Sequence, residues 1–427
     1  MSAAKASLGP LLATMLVAGS MIGSGVYLLP ASLAAIGSIS ILAWLAAIAA
    51  ALVFAAVFAW LATLRADGGL GFIGSISAGF GPRAAFVAAV LYWLQGVLGN
   101  VALALAVTGY LTTLAPVLED MRYATACTIA VIWLFVVLNL AGPRLVAQLE
   151  GWTLLLGLAP VLAAGVLGWL YFDPAVFSAS WNVSGKPPSA MLPGAVVLVL
   201  WAFLGLESAC VSTAILRDPV RTAPLATMCG VLLAAVIYLS ACTALTGILP
   251  AAALAASPAP FADAAGRMAG GSFAVLVAIC ATFKAAGTLG GWVLLTSAAG
   301  QQAVRLGAPQ PPEPKGPSVA NFLFNGLLLT IIALLIAEPS IARQFTVVIN
   351  AAVVLMLCVY AMAGAALLKL RGAQRWAAGL LGVVAVGVVL AVMASQDVPM
   401  LALAGATVVG ALVAWPLVRR RASRAAT

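Results

Sequence analysis

The sequence contains no histidine, and only 7% of its 427 residues are charged. The first absence excludes a histidine proton relay and a histidine metal site. The second excludes a soluble globular domain, which needs charged groups to keep its surface solvated. Six cysteines (Cys127, Cys210, Cys229, Cys242, Cys280 and Cys358) sit in apolar stretches without metal or redox spacing. They read as small packing residues. No nucleophile–base constellation, phosphate loop or metal cluster is visible, which argues against an enzyme and against any cofactor. No cleavable leader is expected either, because the first apolar stretch is long and runs straight into a second.

What the chain has in abundance is apolar sequence: 64% of its residues and a mean hydropathy of +1.17. A lipid bilayer is the partner that tolerates such a surface, and an apolar run of roughly 20 residues crosses ~30 Å of hydrocarbon. Twelve runs are found, at about 10–32, 37–64, 83–113, 122–141, 148–172, 191–216, 223–249, 272–303, 318–337, 343–368, 375–395 and 398–418. With both termini in the cytoplasm, 15 of the 20 basic residues fall in cytoplasmic segments. Only Arg122, Lys186, Arg267 and Arg343 fall on the other side, and Lys284 lies within a span. That asymmetry is the positive-inside pattern, and one missed or invented span would mix the two groups. The net charge of +9 therefore calls for no nucleic acid. It comes from these cytoplasmic segments and from a basic tail at 419–427 suited to anionic headgroups.

The predicted fold is an all-α membrane protein of twelve transmembrane helices, forming a single transporter domain over 1–427. Two spans are interrupted. Span one contains Gly19-Ser20-Met21-Ile22-Gly23-Ser24-Gly25, and three glycines in seven residues favour local unwinding. Unwound backbone at membrane depth persists only where it lines a cavity or is covered by protein. The N–H groups of Ser24 and Gly25, at the start of a half-helix, suit a carboxylate. The same glycines match a dinucleotide-loop spacing, but no strand precedes them and no βαβ unit surrounds them. Close helix packing through small residues is the alternative reading. Span six is interrupted at Trp201-Ala202-Phe203-Leu204-Gly205-Leu206-Glu207-Ser208. The two breaks hold corresponding positions if the chain is two five-helix inverted repeats, about 8–172 and 190–370, followed by extra helices at about 374–419. Paired breaks of this kind point to a transporter's binding site, so the two are expected to face each other near the midplane.

Glu207 and Lys284 are the carboxylate and ammonium placed well inside the spans, while Glu150 lies near the cytoplasmic end of span five. An intramembrane charge is disfavoured by at least ~2.5 kcal/mol, which makes each a candidate for function. Glu207 is the candidate for a proton-coupled gate, with a static hydrogen-bonded carboxylic acid as its alternative. Lys284 has three open readings: snorkelling to the outer interface, pairing with Glu207, or attracting an anionic substrate group. Tyr92, Gly96 and Asn100 recur every four residues and share one face of span three, with Gln95 beside them. Trp292 follows Gly290-Gly291, and the face of a Trp holds a cationic head by cation–π attraction.

With these residues in view, the chain resembles the basic amino acid/polyamine antiporters of the amino acid–polyamine–organocation (APC) superfamily. The likeness is carried by GSMIGSGVYLLPASLAAIGSISI in spans one and two, and by YW, GNVALA and GY in span three. It continues through GWLYFDP and SWN after span five, LWAFLGLESAC and RDPVRTAPLAT around span six, and LGGW in span eight. It covers roughly 8–370. The resemblance implies a LeuT-like five-plus-five inverted repeat with broken helices one and six, alternating access, a bacterial inner-membrane location and a possible homodimer. It further implies that Ser24 and Gly25 bind a substrate carboxylate, and that carbonyls near Met21, Trp201 and Leu204 take the α-amino group. Trp201 and Trp292 would enclose the substrate, Tyr92 and Asn100 line the pocket, and Asn350 contact the distal end of the substrate. Glu207 would be the proton-sensitive residue, and Ala202 matches the lysine/cadaverine type.

The expected function is therefore a secondary active antiporter that exchanges a basic amino acid for its decarboxylated amine. A proton-coupled or exchange carrier for a neutral or acidic amino acid, with Lys284 offsetting Glu207, is the second reading. A transport-inactive nutrient sensor is the third. A channel is disfavoured because the polar residues cluster near midplane rather than forming a continuous lining.

Overall fold

The computed structural model describes residues 8–21, 24–64, 71–208, 216–306, 317–370 and 375–424. The side chain of Ser24 lies outside what is described, as do Cys210 and the basic residues Lys5, Arg65, Lys315 and Arg371. The described chain is helical almost throughout. In the first half, α1 (Pro10–Met21) and α2 (Leu29–Ala34) are followed by α3 (Ser40–Leu64), α4 (Gly71–Phe80), α5 (Pro82–Thr112), α6 (Met121–Ala141) and α7 (Pro143–Val166). A short helix α8 (Pro174–Ala179) leads to α9 (Pro188–Leu200) and α10 (Pro219–Ile248). Then come α11 (Ala251–Ala256), α12 (Pro260–Ala269), α13 (Gly271–Arg305), α14 (Val319–Leu335), α15 (Ile341–Leu370), α16 (Arg375–Met393) and α17 (Val398–Arg424).

Local sequence fixes many of the starts. Asp120, Asp173 and Ser318 accept backbone N–H bonds at the N-termini of α6, α8 and α14, relieving donors that have no partner within the helix. Pro82 opens α5, where its missing N–H removes nothing the helix needs.

Among the described residues, nine helices are long and apolar enough to cross a bilayer, and α1, α4, α9 with its following turn, and α14 are shorter apolar helices. The ten residues of α4 fall between the second and third apolar runs, a segment the hydropathy pattern leaves out, and are too few to cross. The 35 residues of α13 reach about 52 Å, well beyond the hydrocarbon thickness. In the most apolar windows of α5 and α15, 72% of residues are buried, against 17% in α17. These two helices therefore form the centre, and α5 packs on both α13 and α15. The outer face is itself apolar: Trp376, Leu335 and Val398 are each at least 78% exposed. Large apolar side chains in that position have lipid as their solvent. Cys229 is exposed on α10 rather than packed, whereas Cys242 on the same helix is buried.

Candidate functional site

The two breaks predicted from glycine content are present and touch. Helix α1 ends at Met21, a single 3₁₀ turn covers Ser24–Val26, and regular helix resumes at Leu29. Helix α9 ends at Leu200, and a 3₁₀ turn over Trp201–Phe203 leads to Gly205 with φ +106°. That left-handed backbone favours glycine. A Cβ at Gly205 would also come within 3.0 Å of the Ser20 carbonyl oxygen. Ser20 Oγ lies 3.1 Å from the Gly205 carbonyl and 3.0 Å from Ser208 Oγ, so one break is bonded to the other.

Between them lies a small, partly open pocket. Met21, Gly25, Gln95, Trp201, Leu204 and Trp292 line it, all six singled out in the sequence. Ser20, Gly99, Leu103 and Thr288 line it as well and were missed. Gly99 was within reach of the sequence pattern, since it adjoins Asn100 on α5. Thr288 and Leu103 carry no local signal. Trp201 fits only because glycines face it. A Cβ at Gly25 would lie 2.7 Å from its Nε1, and one at Gly99 would lie 3.2 Å from the far edge of its ring. Phe345 of α15 stacks edge-on to Trp201, with ring centroids 6.3 Å apart.

Three polar atoms on this lining are buried without a hydrogen-bond partner in the protein: Gln95 Oε1, Trp201 Nε1 and Thr288 Oγ1. They come from α5, the turn after α9 and α13, and give a largely apolar pocket its polar groups. The apolar lining and the two indole rings supply the remaining surface.

Other predicted residues surround the pocket without lining it. Asn100 Nδ2 donates to Thr296 Oγ1 at 3.0 Å and to the Trp292 carbonyl at 3.4 Å, tying α5 to the turn of α13 that carries the second tryptophan. Gly96 meets the same Thr296: a Cβ there would lie 2.7 Å from Oγ1. Ala202 is buried beside Trp201. Asn350 is on α15, outside the pocket, with its Oδ1 buried and unpaired.

Glu207 is 2% exposed. Its Oε2 accepts from the Gly205 N–H at 3.2 Å and from Tyr360 OH at 3.3 Å. Tyr92 is a further hydrogen-bond partner, so Tyr92 faces the carboxylate behind the break rather than the pocket. Tyr360 was not anticipated; it sits 153 positions from Glu207 with nothing in its flanks to mark it. Lys284 is also 2% exposed, which removes the snorkelling reading. Its stem packs against Gly157 of α7, the helix that also carries Glu150. Glu150, near the start of the apolar span of α7, is half-buried against Gly291 of α13.

A sequence model of the amino acid permease family matches residues 8–418. The chain is 40% identical over 309 residues to a cadaverine/lysine antiporter of Escherichia coli K12, covering 72% of this chain and 68% of that protein. It is 32% identical over 381 residues to the putrescine transporter PotE of the same strain, covering 87% and 85%. With the PotE protein of Haemophilus influenzae it shares 31% identity over 383 residues, covering 88% and 87%. These are transporters and not enzymes. A match over nearly the whole length, joined to apolar helices that are broken where the pocket forms, makes this chain a multi-pass membrane protein of the amino acid permease family.

Proposed function

We propose that the protein is an antiporter that exchanges a basic amino acid for its decarboxylated amine by alternating access. The observation that carries this is the set of orphaned groups, Gln95 Oε1, Trp201 Nε1 and Thr288 Oγ1, on a pocket formed between two broken helices. The α-carboxylate would meet backbone N–H groups at Ser24 and Gly25, where the helix restarts and its dipole favours an anion. The α-amino group would meet carbonyls around Met21, Trp201 and Leu204. The faces of Trp201 and Trp292 would hold the substrate's cationic chain. Glu207, one layer behind the break, would link protonation to the Gly205 turn. Asn350 would sense the distal end in a conformation that opens toward α15. The relatives are named for cadaverine, lysine and putrescine, which supports the cationic class.

In this proposal α1, α9 and α14 count as spans beside the nine long helices, giving twelve, with the broken spans first in each of two inverted repeats. The termini are placed in the cytoplasm by charge, the location is the inner membrane, and the assembly is a homodimer.

The test is uptake of radiolabelled lysine, ornithine and arginine into proteoliposomes loaded with cadaverine, putrescine, agmatine, a neutral amino acid, an acidic amino acid or nothing. Entry of a basic amino acid only against an internal basic amino acid or amine is the expected result. Uptake of neutral or acidic amino acids alone would move the assignment to the second carrier type. Binding without flux would make the protein a sensor.

A further inference from the structure

Lys284 lies in the interface between α7 and α13, where glycines on both helices open matching notches. A Cβ at Gly157 of α7 would fall 2.1 Å from both Cβ and Cγ of Lys284, so the lysine stem fills the space that glycine leaves. A Cβ at Gly287 of α13 would fall 1.9 Å from Thr153 Oγ1, and one at Gly291 would fall 2.3 Å from Glu150 Oε2. Along α7 the contacts run 150, 153, 157; along α13 they run 291, 287, 284. The helices are therefore antiparallel, and their notches bring one anion and one cation into the same interface. Glu150 and Lys284 thus lie about two turns apart along one helix contact, roughly 10 Å along the axis. Thr288, one turn along α13 from Lys284 and roughly 6 Å along its axis, is on the pocket wall.

We propose that Glu150 is a specificity-determining residue: by offsetting the charge of Lys284 at the α7–α13 interface, it lets the adjacent pocket accept a dicationic amine. This rests on the cationic-substrate reading above. An uncompensated ammonium near the pocket acts on the occupant in proportion to its net charge. A diamine carries about two positive charges and a zwitterionic basic amino acid a net one, so the diamine feels twice the repulsion. A neutral amino acid feels almost none. Glu150 is not among the residues that line the pocket; its charge acts on the occupant at a distance, opposing that of Lys284.

The experiment compares cadaverine with lysine, by competition for exchange in proteoliposomes of the full-length protein. The variants are Glu150→Gln, Lys284→Met and the double substitution. Gln keeps the shape seated on Gly291, and Met keeps an apolar stem in the Gly157 notch, so charge changes while packing is conserved. Glu150→Gln is expected to lower the preference for cadaverine over lysine by about tenfold, and Lys284→Met to raise it by a similar factor. The double variant returns the preference to within about twofold of wild type, because one negative and one positive charge are then lost together. Opposite shifts are a signature that loss of packing does not produce. Shifts in the same direction, or no shift in protein that stays monodisperse, overturn the proposal. If Glu150→Gln does not purify intact, the rise in Lys284→Met decides alone, and its absence is equally fatal. Wild-type protein that moves neither cation overturns the substrate reading, and this inference with it. Normal wild-type exchange with unshifted variants overturns this inference alone.

Discussion

Ser20 and Gly205, 185 positions apart, are joined by a hydrogen bond of 3.1 Å from the serine hydroxyl to the glycine carbonyl. Ser20 is in the last turn of α1 and Gly205 in the turn after α9, so the bond ties the end of one broken helix to the break in the other. The turn at Gly205 also presents its N–H to Glu207 Oε2 at 3.2 Å. The Glu207 carboxylate and the end of α1 therefore meet at one residue.

Gly205→Ala is expected to destabilise the protein by about 1–3 kcal/mol, because φ +106° is forbidden to alanine without strain. The added Cβ would also press on the Ser20 carbonyl. Thermal unfolding in detergent measures the first effect. Exchange in proteoliposomes, expected to fall to background, measures the second. An unchanged melting temperature would show that the turn relaxes freely.

Glu207→Gln is expected to slow exchange and to flatten its pH dependence, because the amide keeps the shape but cannot take up or release a proton in this range. Tyr360→Phe removes one bond to the carboxylate and is expected to slow exchange while leaving the pH dependence in place. Initial rates between pH 5 and pH 8 separate the two. A Glu207→Gln profile as steep as wild type would assign the proton step elsewhere.

Trp201→Leu and Trp292→Leu each remove an indole face from the pocket. Each is expected to raise the KM for a cationic substrate by about tenfold, the size of a partly desolvated cation–π contact. Trp201 carries the larger effect, since its ring also spans Gly25 and Gly99. Competition assays give both values, and equal losses for cationic and neutral substrates would argue for shape alone.

Gly287→Ala is expected to destabilise the α7–α13 contact by about 1–3 kcal/mol through overpacking, since its Cβ would overlap Thr153 Oγ1. Thr153→Ala in the same chain removes that oxygen and is expected to recover part of the loss. Melting temperatures of the two single variants and the double test the coupling, and strictly additive changes would show that the notch is not shared.

Composition alone settled the membrane class, because a chain with 7% charged residues has no other solvent available to its surface. The glycines at 19–25 and at 205 marked both breaks, since backbone conformation is governed by residues a few positions apart. Trp201, Gln95 and Trp292 were likewise legible on the pocket wall, because each sits beside a break or a glycine pair. Helix periodicity put Gly96 and Asn100 on one face, and both do meet Thr296. The same periodicity could not say that Tyr92 reaches Glu207 instead of the pocket, which depends on how α5 is rotated against the second break.

Partner choice was decided only by the tertiary structure. Lys284 and Glu150 are 134 positions apart, and the sequence left Lys284 open to Glu207, to the membrane surface or to substrate. The antiparallel register of α7 on α13 puts both residues in one helix contact, where Gly157, Gly287 and Gly291 leave notches that the facing helix fills. In a membrane core the fit of small residues and bulky ones sets helix approach, since apolar burial favours no one pairing of helices over another. Sequence thus determined which segments cross and where they break, through local backbone and solvent preferences. Tertiary packing determined which helices meet and which charged side chains share a contact, through complementarity between surfaces far apart in the chain.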